Sequence, residues 1–296
     1  MIVTPPESLK GALTIPEKTL LGPGPSNVPE RVLKAMTLPT IGNPEFCKVM
    51  DDCKAGVQYA FQTKNKMTLV LSSTGRAGME CVMTNLLEKD DVVLIANHGI
   101  WGERAMDMAQ RQGGDVWELA KPAGEPFNLT EIGSALEKLK PVLFFVTHGE
   151  SSTGGLQGLE GIGPLCASVN CLFAVDTVAS LCGVPLRADA LGIDAIYTGS
   201  QKVLSVPPGL APISFSDKAV AKILARKSPP ISFSLDINWL GQYWNCFEGK
   251  DRVYHHTGPI NLMYALREGL AILAEEGLEA CWERHRMCAE KLHQGI

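Results

Sequence analysis

The nine cysteines of this 296-residue chain include no CxxC pair, and their number is odd. A disulfide framework and a zinc site are both poor explanations for such scattered thiols. Cys81, Cys166 and Cys171 lie among apolar neighbours, as free, buried thiols in a reducing compartment do. Histidines are also scarce, and only His255 and His256 are adjacent, so no metal centre is expected. Apolar runs are short: Val142 to Val146 is strand-sized and far from bilayer-spanning length. The opening MIVTPPESLKGALTIPEK has neither the apolar core of a signal peptide nor the Arg-rich, acid-free character of a transit peptide. Charged residues make up only 20% of the chain, with a net charge of −5. That gives no electrostatic reason to expect nucleic acid or an anionic membrane as partner. Walker A and GxGxxG spacings are both missing, which disfavours a nucleotide.

What is present is a well-cored chain, 45% hydrophobic. Short β-branched runs alternate with amphipathic stretches: Met67–Leu71 then Ala77–Leu87, Val92–Ala96 then Trp101–Gln112, Val142–Thr147 then Leu159–Ser168. Leu172–Asp176, Ala195–Thr198 and Ala211–Phe215 follow. Near-continuous apolar strands between helical patterns predict an α/β fold, a mostly parallel sheet sandwiched by helices. Ligands in such sheets gather at the carboxyl ends of the strands. The polar, Gly-rich segments Ser72–Gly75, Thr147–Gly154, Asp176–Ser180 and Gly199–Lys202 fall at those ends. Residues 1–20 read as an extended arm and 21–276 as a large domain. Within the latter, Leu262, Leu266, Leu270 and Leu273 share one helix face. Gly277 then interrupts, and 277–296 opens a small carboxyl-terminal domain that is expected to be largely missing.

Asp176 closes the apolar strand LFAVD, where a carboxylate is costly to desolvate without a partner. Lys202 follows another strand in AIYTGSQK. Taken singly, a capping aspartate and a solvated turn lysine are the plainer readings. Together they meet the two demands of pyridoxal 5′-phosphate: an amine for its aldehyde and an acid to keep its pyridine nitrogen protonated. Thr74, Gly75 and Arg76 would set a hydroxyl, backbone N–H groups and a cation at the positive end of a helix, suited to a phosphate. An ordinary N-cap explains the same residues if they are taken alone. Trp101 could stack on a flat ring or fill a core. Ser151, in THGESSTG, could serve a cofactor or substrate, while His148 and Glu150 could simply satisfy a buried turn. The order decides: phosphate loop, aromatic, hydroxyl loop, aspartate and lysine follow five successive strands.

The segments GPGPSNVPERVL, GIWGER, FVTHGESSTG, VDTVASLCGVPL, YTGSQKVLSVPPG, ISFSDKA and YHHTGPINLMYALREGLAILAEEGLE resemble the class V aminotransferases, in the alanine–glyoxylate and serine–pyruvate branch. The resemblance implies a fold-type I transferase in which Lys202 forms the aldimine and shuttles the α-proton. Asp176 would pair with the pyridinium nitrogen and Trp101 would stack on the ring. Thr74, Gly75, Arg76 and Gln201 would hold the phosphate. Ser151 would touch cofactor or substrate, and Asn43 the substrate. Tyr254 and Thr257 would reach the phosphate of a neighbouring subunit, making the enzyme a homodimer with shared sites. The implied reaction carries an amino group from alanine or serine to glyoxylate or pyruvate, in the peroxisome. A 3-hydroxykynurenine transaminase is the alternative. A desulfurase is disfavoured because Gln201 stands where that class has histidine, whereas a kynureninase stays open, as does an inactive dimerising fragment. Two departures stand out. Arg76 replaces the histidine of a Ser-Gly-His triplet, and the IGNPEFCKVM stretch around Asn43 is shorter than in relatives. The small domain that supplies a carboxylate-clamping arginine is expected to lie outside this chain.

Overall fold

Nine strands organise the computed structural model, which describes residues 4–16 and 18–296. They are β1 (Met67–Leu71), β2 (Val92–Asn97), β3 (Asp115–Ala120), β4 (Leu143–Thr147), β5 (Gly149–Glu150), β6 (Gly155–Leu156), β7 (Leu172–Asp176), β8 (Ala195–Tyr197) and β9 (Ala211–Phe215). Seven form one sheet in the order β1-β9-β8-β7-β4-β2-β3, and β5 pairs with β6 in a small hairpin. Pairings β2–β3, β2–β4, β4–β7 and β7–β8 are parallel, whereas β9 runs antiparallel to both β1 and β8. Every residue of β1, β4, β7, β8 and β9 is buried. Both faces of the sheet are therefore covered, which is why these strands read as unbroken apolar runs.

The edge strand β3 has no such run. Its sequence DVWELA is mostly exposed, with Trp117 46% accessible, so no apolar signal marks it before the structure does. Several helices likewise have no counterpart among the predicted elements, Asn43–Phe61 and Leu129–Leu139 being the longest. Asn43–Phe61 follows Gly42 and carries Phe46, Met50, Cys53, Val57 and Ala60 on its buried side, a 3.6-residue period. Leu129–Leu139 opens with a capping box between Asn128 and Glu131. One predicted helix shortens: Ile162–Ser168 starts after Gly161, whose positive φ of 84° places a turn where Leu159 was expected to begin it. The helix Ile260–Glu276 ends at Gly277, and Leu278–Gln294 continues from it, burying only Leu278, Cys281 and Trp282.

Seven cysteines are buried, Cys47 is half-buried and Cys288 exposed, and all nine are free. Near the amino terminus Leu9, Leu13, Ile15 and Leu21 are more than two-thirds exposed. Among the described residues no helix is long and apolar enough to cross a membrane.

Candidate active site

Parallel pairing puts the carboxyl ends of β2, β4, β7 and β8 on one edge of the sheet. Because β9 is antiparallel, with Ala211 opposite Leu71, the β8–β9 connection that carries Gln201 and Lys202 stays on that edge. A cavity of about 360 Å³ opens there. Thr74, Gly75, Arg76, Trp101, Ser151, Asp176, Gln201 and Lys202 all line it, together with Met79, Gly149, Val178 and Ala179. Its volume falls within the range of small-molecule sites, about 300–1,000 Å³.

Asp176 forms the floor. Its Oδ2 accepts a hydrogen bond from the Tyr197 hydroxyl at 2.6 Å, and its Oδ1 accepts one from the Val178 N–H at 2.8 Å. Burial nevertheless dominates and raises this carboxyl from 3.8 to about 6. Such a group favours a cation at its side: the like charge of Glu150 pushes the carboxyl further up, and the charge of Lys202 draws it back down. Tyr197 can reach Asp176 because Gly78 lets the Gly75–Leu86 helix lie close. A Cβ on Gly78 would stand 2.8 Å from the tyrosine ring.

Lys202 is tethered from the opposite side. Its Nζ donates to the Pro23 carbonyl at 2.7 Å. The Ser26 hydroxyl sits 2.9 Å from the Lys202 carbonyl and 3.2 Å from that of Gln201, and the Ser26 N–H donates to the latter at 2.9 Å. Between them, Gly24 adopts φ +122°, and a Cβ there would meet Lys202 Cδ at 2.6 Å. Only glycine satisfies both demands. Partial desolvation lowers the proton affinity of the Lys202 amine, against the pull of Asp176.

The third wall carries no net negative charge. The Gly75–Leu86 helix begins after Thr74, whose side chain makes no capping hydrogen bond and is left to the cavity. The Arg76 guanidinium carbon lies 5.9 Å from the centre of the Trp101 ring. Trp101 Nε1 donates to Ser151 Oγ at 2.9 Å, fixing the indole plane. Gln201 Oε1 is buried without a hydrogen-bond partner, an acceptor awaiting a donor. The residues thus fit pyridoxal 5′-phosphate: a helix amino terminus with a cation for its phosphate, a flat indole for its ring, a buried acid and a desolvated amine.

Three predicted residues lie elsewhere. Asn43 is the exposed first residue of its helix, 3.8 Å from Cys47 Sγ, and does not line the cavity. Its segment opens the helix Asn43–Phe61. Tyr254 and Thr257 are hydrogen-bonded to each other at 2.7 Å on the surface, with Tyr254 63% exposed. Tyr197, Pro23 and Ser26 join the predicted residues. Tyr197 has a local signal, as the polar-tipped last residue of a buried strand; Pro23 and Ser26 lie in the GPGPSNVPERVL segment, more than 170 residues from Lys202, and no local pattern ties them to it.

A lysine and a buried carboxylate in one cavity, beside a helix amino terminus and on the carboxyl edge of a mostly parallel sheet, define an α/β protein with a site shaped for a small phosphorylated cofactor. The chain belongs to the class-V aminotransferases: residues 19–296 match that family. Its cofactor is accordingly pyridoxal 5′-phosphate. It is 51% identical over 296 residues to alanine–glyoxylate aminotransferase of Rattus norvegicus, spanning 99% of this chain and 71% of that one. The crystal structure of alanine–glyoxylate aminotransferase from Nostoc sp. superposes with a TM-score of 0.93 at 44% identity, covering 98% of this chain and 77% of that one. Ureidoglycine–glyoxylate aminotransferase from Bacillus subtilis gives 0.89 at 38% identity, covering 93% and 70%.

Proposed function

We propose that this chain transfers an amino group from alanine or serine to glyoxylate, giving glycine and a 2-oxo acid, with pyruvate as an alternative acceptor. The observation that carries the reading is the convergence of Lys202, Asp176 and the Thr74–Arg76 helix start on one cavity. The relatives named for alanine and glyoxylate support the choice of substrates. Bound pyridoxal 5′-phosphate supplies a carbonyl that takes up amines and a ring that accepts the electron pair left by a departing α-proton.

The residues divide the remaining work. Asp176, kept in place by Tyr197 and the Val178 N–H, would hold a proton on the ring nitrogen. Thr74, Gly75, Arg76 and Gln201 would bind the phosphate, which the helix end favours electrostatically. Trp101 would cover one face of the ring, a contact worth about 0.5–1.5 kcal/mol beyond area burial. Lys202 Nζ would hold the cofactor and, once freed, remove the substrate α-proton and return it to the adjacent carbon. Its lowered proton affinity makes the neutral amine accessible. Purified chain given the cofactor, alanine and glyoxylate should form pyruvate and glycine in equal amounts; glycine without pyruvate would sink this assignment.

The proposal extends to a homodimer in which Tyr254 and Thr257 serve the partner's phosphate. Their exposed, paired hydroxyls lie outside their own chain's cavity, which supports a role across an interface. Mixing Lys202→Ala with Tyr254→Ala subunits then restores activity that neither has alone. Random pairing makes half the dimers mixed, each with one intact site, so recovery approaches about one quarter of wild type. No recovery on mixing would mean each site is built within one chain. We also place the enzyme in the peroxisome, on resemblance alone. Colocalisation of a tagged full-length protein with a peroxisomal marker checks this, and a diffuse signal would refute it.

A further inference from the structure

Glu150 is a buried carboxylate, 1% exposed, that the transfer reaction does not use. Each of its oxygens is engaged by a different segment. Oε2 accepts from the backbone N–H of Trp101 at 3.2 Å. Oε1 accepts from the Ser152 N–H at 3.0 Å and from the Ser152 hydroxyl at 2.6 Å. The loop closes on itself: the Ile100 N–H donates to Ser152 Oγ at 3.3 Å, and Trp101 Nε1 donates to Ser151 Oγ at 2.9 Å.

The helix Ile100–Arg111 explains the arrangement. Its N-cap is Gly99, which has no side chain to satisfy the first N–H groups. A Cβ on Gly99 would stand 2.4 Å from the Glu150 carboxyl carbon, so the carboxylate fills the place an ordinary cap would take. The cap thus comes from Glu150, the last residue of β5, and its negative charge suits the positive helix end. One side chain therefore fixes the indole that faces the cavity and the hydroxyl loop that aligns it.

We propose that Glu150 is a positioning residue for the cofactor, acting through Trp101 by capping its helix from the Ser151–Ser152 loop. This rests on the reading of the cavity as a pyridoxal 5′-phosphate site with Trp101 on the ring. A neutral glutamine cannot accept from Ser152 and Trp101 together with the same strength, because one of its two terminal atoms is a donor.

The test is a double-mutant cycle read as the dissociation constant of pyridoxal 5′-phosphate and the visible circular dichroism of the bound cofactor. Wild type is measured first; failure to bind would sink the cavity reading itself rather than the role of Glu150. Given wild-type binding, Glu150→Gln should weaken it about tenfold and diminish the dichroic band, as the loss of a charged hydrogen bond allows. In a Trp101→Ala background the same change should add less than about twofold, since coupled residues are non-additive. Gly99→Ala, which displaces the carboxylate without removing its charge, should reproduce the weakening and stands in if Glu150→Gln does not fold. Unchanged affinity in Glu150→Gln, or full additivity with Trp101→Ala, would overturn the proposal.

Discussion

Lys202→Ala is expected to lower turnover by at least about 10⁴-fold, the upper end for a lost acid–base group, because the covalent hold on the cofactor goes with it. The visible absorbance of the bound cofactor should shift to that of the free aldehyde form. Little stability should be lost. The side chain is half-buried, its one hydrogen bond is to the Pro23 carbonyl, and that segment remains fastened through Ser26. A thermal midpoint within a few degrees of wild type would confirm that chemistry, not folding, was removed. Small primary amines added to the variant should restore part of the activity, since they can occupy the emptied place and carry the proton. Lys202→Arg should not be rescued by its charge, because a guanidinium does not release its proton in a protein. Retention of more than a hundredth of wild-type turnover by Lys202→Ala would show that another group moves the proton.

Asp176→Asn is expected to cost about 10²–10⁴-fold in turnover, the range for a positioned proton-holding group, with the cavity shape unchanged. The amide keeps the size of the side chain and can still accept from the Tyr197 hydroxyl. It has no charge with which to keep a proton on the ring nitrogen. The same substitution separates function from stability in the cofactor-free protein. Burial raises this carboxyl from 3.8 to about 6, so the folded chain keeps a proton there that the unfolded chain has already released. Stability from this group is therefore fully present below pH 4 and is lost as the pH rises through about 6. Two pKa units correspond to about 3 kcal/mol. The asparagine variant avoids that loss but leaves the Val178 N–H with a poorer acceptor, worth about 1–3 kcal/mol. Melting curves of the two cofactor-free proteins should accordingly be close at pH 7.5, with the wild type alone losing stability between pH 4 and 6. An identical slope in both would show that Asp176 is not the group that titrates. Bound cofactor reverses the balance, because a ring cation beside Asp176 offsets the desolvation cost.

Much of the sheet was legible because its strands are buried on both faces and so appear as runs of Val, Ile, Leu and Phe. β3 escaped, as edge strands do, because one side of it is wet and its sequence keeps Asp115 and Glu118. The Asn43–Phe61 helix is less legible for another reason: its Phe46–Met50–Cys53–Val57 period is spread among polar and small residues, so no continuous apolar run marks it. The cavity was legible to the extent that its parts stand at strand ends. Thr74, Trp101, Ser151, Asp176 and Lys202 each follow an apolar run, and a parallel sheet carries such ends to one edge whatever the loops do.

The chain by itself determined the sheet, the direction of most of its strands and the set of side chains delivered to their carboxyl ends. These follow from local periodicity, which is a property of neighbours in sequence. Only the tertiary structure decided how those side chains are held. The Pro23 carbonyl on Lys202, Tyr197 on Asp176, and Glu150 capping the helix of Trp101 join residues 21 to 179 positions apart. No pattern in the sequence encodes these contacts, because packing and the pairing of buried polar groups create them only once the sheet has formed.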